Sequence, residues 1–185
     1  MLKFMFHLLK ILTTLASLMN ASATTANQYS AHTHGHAELT IAIDKNNIDL
    51  KLITPAANLL GFEHKATTAS EISQVIAMKK HLAQHANVII FNHADCHIKS
   101  SNINTGDILN YDHQEHAHEH ENRYSHTEII VDYQFHCANA SDISSASVKL
   151  FKHYTGLEKI DVMWLTAFQQ GSIELDMKNT GISFQ

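Results

Sequence analysis

His113-Gln114-Glu115-His116-Ala117-His118-Glu119-His120 is followed six positions on by His126, so five of the fourteen residues from 113 to 126 are histidines. Imidazole nitrogen is a borderline donor that holds Zn²⁺, Cu²⁺ or Ni²⁺ near neutral pH, and Glu115, Glu119 and Glu121 add charge and oxygen donors. Solubility alone does not call for so many imidazoles in one stretch. Transition-metal binding is therefore favoured over an inert polar loop.

A second cluster, His32-Thr33-His34-Gly35-His36, leads into Glu38. If a strand begins early, His32, His34, His36 and Glu38 share one side, opposite Leu39, Ile41 and Ile43. Taken alone, the H-x-H-x-H pattern suits a frayed polar terminus equally well. Gly61-Phe62-Glu63-His64 places a carboxylate beside an imidazole, in a turn that can carry His64 toward His34 and His36. By spacing alone that segment reads as a structural turn with Phe62 plugging the core. His126 and Glu128 lie two apart on the wet face of a strand where the histidine run ends. The pair His81 and His85, at i and i+4, reads as a solvated helix face. His93, His97, His136 and His153 stand singly, and Trp164 and Phe168 read as core. The chain has no H-E-x-x-H, G-x-S-x-G, P-loop or dinucleotide-binding glycine pattern, and it reads as a binding protein rather than an enzyme.

These residues need a scaffold. Leu39, Ile41 and Ile43, then Ile48, Leu50 and Leu52, alternate on either side of Asp44-Lys45-Asn46-Asn47, which predicts a β-hairpin ended by Pro55. Thr68-Ala69-Ser70-Glu71 is a capping box, and apolar spacing predicts a helix from about Ala69 to His85. Val88 to Phe91 is a short strand that Cys96 to Lys99 continues beyond a bulge. Residues 101–125 lack apolar periodicity and are expected to form a mobile His-rich loop. From Tyr124 to Cys137 alternation is clearest, with Thr127, Ile129, Val131, Tyr133, Phe135 and Cys137 on one side. Strands over Ser147–Tyr154, Lys159–Phe168 and Ser172–Met177 follow. The expectation is an α+β fold, a mainly antiparallel sheet with a helix packed on one face and a long His-rich loop.

Lys3, Lys10, the apolar stretch Ile11–Met19 and the small-residue site Ala21-Ser22-Ala23 read as a signal peptide over 1–23. Residues 24–185 then form a single metal-binding domain. Removing two lysines and no acids from 13 basic and 18 acidic residues leaves a net charge of −7. That balance argues against nucleic acid and anionic lipid as partners, and suits cations. No second apolar stretch is long enough for stable membrane insertion after cleavage. Two cysteines, Cys96 and Cys137, in an exported chain point to a disulfide, with separately buried thiols or a thiolate metal ligand as the alternatives.

The chain resembles the ZrgA-type periplasmic zinc-binding proteins of Gram-negative zinc uptake systems. The resemblance lies in His32 through Leu39, in Pro55 through His64 ending in Gly-Phe-Glu-His, in Tyr133-Gln134-Phe135-His136-Cys137, and in Gly156-Leu157-Glu158-Lys159-Ile160 with Trp164 beyond. It implies zinc capture in the periplasm and supply to inner-membrane transporter components. It also implies His34, His36 and His64 as ligands, and is consistent with pairing of the two cysteines. The expected metal set is His32, His34, His36, His64, His113, His116, His118, His120 and His126, with Zn²⁺ as the bound ion. Two rival readings are a Cu, Ni or Zn buffer or resistance chaperone, and a zinc hydrolase for which only Glu38 or Glu63 could be nominated as base. A third is a structural domain with an inert loop.

Overall fold

The computed structural model describes residues 33–92, 95–109 and 127–184. The expected signal peptide, His32, His93 and the histidines from His113 to His126 lie outside the described residues.

Alternating apolar residues build the main sheet as expected. Strand β1 (His36–Asp44) turns at Lys45 into β2 (Asn47–Pro55), with Leu39 against Leu52 and Ile41 against Leu50. Lys45 takes a φ of 52° to make the tight turn. After a short helix α1 (Ala56–Leu60), helix α2 (Ala69–Leu82) opens on the expected capping box, Thr68 and Glu71 each satisfying the other's backbone amide. Strands β3 (Ile89–Phe91), β4 (Cys96–Asn104), β5 (Glu128–Cys137), β6 (Ser145–Val148), β7 (Lys159–Leu165), β8 (Gln170–Asp176) and β9 (Gly181–Ser183) complete the order. Six strands form one sheet in the order β4-β5-β2-β1-β7-β8, and three form a second, β3-β6-β9. The fold is α+β and sheet-dominated, antiparallel except where β1 and β7 run parallel.

One face of the six-stranded sheet is apolar. Leu39, Ile41, Leu50, Leu52, Val131, Phe135, Ile160 and Val162 are buried in one cluster with Val75, Met78 and Leu82 of α2 and Ala146, Val148 and Ile182 of the small sheet. Trp164 packs edge-on against Phe184, so it is core. Phe168, expected to be core, is instead 92 % exposed at the β7–β8 turn, where its neighbour Thr166 organises the hairpin through bonds to Gln169.

Several boundaries differ from the expected ones. Helix α2 stops at Leu82, because Asn87 Nδ2 bonds the His81 carbonyl and a 3-10 turn follows. Strand β4 does not continue β3; it joins the other sheet and runs on to Asn104, where a loop was expected. It is an edge strand, exposed at nearly every position, and its ladder to β5 holds it with only Cys96 and Ile103 packed on the core. Its polar sequence therefore shows no alternation. Of the expected strand at 147–154 only 147–148 is extended, as the end of β6, which starts two residues earlier; Leu150 and Phe151 are buried in a 3-10 turn. Cys96 and Cys137 face each other across β4 and β5 and form the disulfide.

Candidate metal centre

The register gathers the chemistry at one end of the large sheet. His36 opens β1 opposite Lys159, which opens β7, and Glu128 opens β5 opposite Pro55, the last residue of β2. The chain segments that enter or leave at this end are Thr33–Gly35, Ala56–His64 and Gly156–Glu158, together with both ends of the segment between Leu109 and Thr127.

The turn Thr33–His36 closes through a 3.0 Å bond from the His36 amide to the Thr33 carbonyl, with Gly35 at φ +84°. That conformation favours glycine. The Gly35 carbonyl accepts two amides, Glu158 at 2.7 Å and Lys159 at 2.9 Å. Its amide donates to Asn58 Oδ1 at 2.7 Å, and Asn58 Nδ2 donates to the His36 carbonyl at 2.7 Å. Helix α1, which carries Asn58, ends in the left-handed Gly61, which releases the chain into Phe62-Glu63-His64. Gly156 packs against α1 so closely that a Cβ there would lie 2.9 Å from the Asn58 carbonyl oxygen.

This packing sets two imidazole–carboxylate pairs. His34 Nε2 lies 3.1 Å from Glu63 Oε1, and His64 Nε2 lies 3.0 Å from Glu71 Oε1. Phe62 lies alongside the His64 ring at 4.9 Å. Glu71 is held ionised, its carboxyl lowered to about 2, first by the Thr68 amide, then by His64 and the Thr67 amide. The turn was expected to carry His64 toward His34 and His36; it is the adjacent Glu63 that reaches His34, while His64 bonds Glu71 of the helix cap. His36 is half-buried on the open face of β1, two residues before Glu38. Among the described residues, no three His, Cys, Asp or Glu side chains converge to hold a metal ion.

The segment bearing the remaining histidines is tied to this same end. The Ala56 amide donates to the Thr127 carbonyl at 2.8 Å, and the Ala66 amide to the Ile108 carbonyl at 3.0 Å. Both of its roots are therefore bonded to the stretch 56–66 that carries Glu63 and His64. The surroundings are acidic. Glu38, Asp161 and Glu174 fall in one row across β1, β7 and β8. Lys159 bonds Glu174 at 2.8 Å, and that bond raises its amine above the ordinary range. Imidazole and carboxylate donors on an anionic surface suit a borderline divalent cation.

Sequence reasoning missed Asn58, Glu71 and Glu158 as parts of this arrangement. Glu71 was visible as a capping residue, but its second role depends on His64 folding back seven positions. Asn58 and Glu158 carry no spacing signal at all, since Gly35 and His36, which they hold, lie far from them in sequence.

The model of the ZrgA family, described as a zinc uptake protein family, matches residues 31–184. No individually curated protein matches the chain.

Proposed function

Because the chain belongs to the ZrgA family of zinc uptake proteins, we propose that it captures Zn²⁺ in the periplasm and supplies it to inner-membrane transporter components. The reading rests above all on the 3.1 Å pairing of His34 with Glu63, groups 29 residues apart in sequence. A carboxylate on one ring nitrogen fixes the tautomer and turns the other nitrogen toward a metal, the usual support for a histidine ligand. In this proposal His34 anchors the ion and Glu63 orients it or adds an oxygen. His32, His36 and His64 supply nearby nitrogens, and His113, His116, His118, His120 and His126 supply the rest from the segment rooted at Ile108 and Thr127. The protein acts by binding and release, not by catalysis.

Zinc must displace protons from imidazole, so affinity falls as pH drops through about 6.5, the reference histidine value. The test is calorimetric titration of the exported chain with Zn²⁺, beside His34→Ala and a deletion of residues 113–120. Loss of affinity in the first and of bound zinc equivalents in the second is expected. Full zinc uptake by both variants would refute the proposal.

A further inference from the structure

Beyond the ligands, we infer that Asn58 is a positioning residue that preforms the zinc site, by locking the histidine turn onto the helix that delivers Glu63. The inference rests on the zinc reading of His34 given above. An asparagine amide offers one acceptor oxygen and two N–H donors, and here all are engaged: Oδ1 takes the Gly35 amide, while Nδ2 serves the His36 carbonyl at 2.7 Å and Thr54 Oγ1 at 3.0 Å. The residue is 3 % exposed, so water does not compete for these bonds.

The bonded groups bracket the donors. The Gly35 amide belongs to the peptide that follows His34, and the His36 carbonyl to the peptide that follows His36. Asn58 therefore grips the backbone next to each imidazole, and three residues later α1 ends and turns into Phe62 and Glu63. On the opposite flank, backbone amides of Glu158 and Lys159 hold the Gly35 carbonyl. Replacement residues fail for different reasons. Alanine removes both grips. Aspartate keeps an acceptor for Gly35 but aims a carboxylate oxygen at the His36 carbonyl. Glutamine adds a methylene to a buried side chain whose amide already meets Gly35, His36 and Thr54.

A bond network that only stabilised the fold would act on zinc binding no more than any other buried contact does. The test compares three full-length variants, all shown folded by circular dichroism at low temperature: Asn58→Ala, Ile182→Ala and His34→Ala. Ile182 is buried in the small sheet, away from the histidine turn. Zinc affinity is measured by competition with a chelating dye. We expect Asn58→Ala to weaken zinc at least about tenfold, in the range typical of residues that orient ligands, and Ile182→Ala to leave affinity unchanged. Equal affinities in Asn58→Ala and wild type, or equal weakening in Ile182→Ala, would overturn the inference. If His34→Ala binds like wild type, the zinc reading falls and the inference with it; weak binding by His34→Ala beside normal binding by Asn58→Ala overturns the inference alone. Should Asn58→Ala not fold, amide exchange in the zinc-free wild type decides. A protected Gly35 amide shows the turn preformed, and exchange at the rate of an unstructured chain refutes it.

Discussion

His64 adjoins an acid in sequence and His34 has none nearer than Glu38, yet each ring meets a carboxylate in the fold, and the two carboxylates differ. His34 meets Glu63, which has no role in a helix cap, while His64 meets Glu71, which also caps α2 through the Thr67 and Thr68 amides. Glu71 is thus shared between His64 and the cap that starts α2, whereas Glu63 belongs to the turn that leaves α1. His34→Ala should accordingly lower zinc affinity more than His64→Ala does, and Glu63→Gln should lower it about tenfold, as loss of a ligand's supporting carboxylate does. Because the His34 ring is largely exposed, the pair adds at most about 1 kcal/mol to stability, and thermal midpoints of these variants should stay near wild type. Parallel titrations and melts check both statements; equal affinities for His34→Ala and His64→Ala would contradict the assignment. The histidines themselves were legible, since their number and spacing are local. Their acidic partners were not, because a turn decides which of two adjacent residues, Glu63 or His64, points at His34.

Helix α2 shows the same contrast at its two ends. Its start was readable because a capping box is written within four residues, and Thr68→Ala should cost about 1 kcal/mol in urea unfolding. Its end was not readable, because a side chain beyond it, Asn87, takes the His81 carbonyl; the His81 ring itself stacks at 3.8 Å on His153, a partner far along the chain. The two rings are parallel to within 10°, so they cannot both point nitrogens at one ion in their planes; the pair is a packing joint and not a chelate. Around it lie Tyr154, edge-on to both rings, and Tyr133, whose hydroxyl donates to the Leu82 carbonyl. Burial, then the His153 charge, lowers the His81 value below its ordinary 6.5. The unfolded chain then takes up this proton at a higher pH than the folded one does. The associated stability is complete above about pH 6.5 and is lost as pH falls below it. Urea midpoints at about pH 7.5 and about pH 5 should differ more for wild type than for His81→Phe, which keeps an aromatic ring without the titration. Equal differences would show that the joint does not titrate.

Across the whole molecule, the strands that bury one face were legible from period-two alternation, and the α+β class followed from them. The edge strand β4, the parallel β1–β7 pairing and the three-residue β9 were not, since ladder bonds or distant neighbours hold them and leave no pattern along the chain. The disulfide illustrates the cost of reading connectivity without topology. In sequence it encloses the histidine run and looks like a staple for that loop. In the fold, Cys96 and Cys137 sit at the end of the β4–β5 ladder opposite Asn104 and Ile130, where the segment from 110 leaves. Eight residues of extended chain separate Cys96 from Asn104, roughly 25 Å at the rise of a strand. What holds the loop roots is instead the bonding of Thr127 to Ala56 and of Ile108 to Ala66. Stability and zinc binding should thus separate on reduction. Opening a bridge between cysteines 41 positions apart removes about 4 kcal/mol by chain-entropy arithmetic, lowering the urea midpoint. The folded fraction should still bind zinc with unchanged affinity, because His34, His36, Glu63 and both root bonds lie at the end of the sheet opposite the sulfurs. A Cys96→Ser, Cys137→Ser protein titrated with Zn²⁺ well below its melting temperature tests this without a reductant to compete for the metal. A large fall in affinity there would mean that the far end of the ladder governs the metal end, against the root bonding described above.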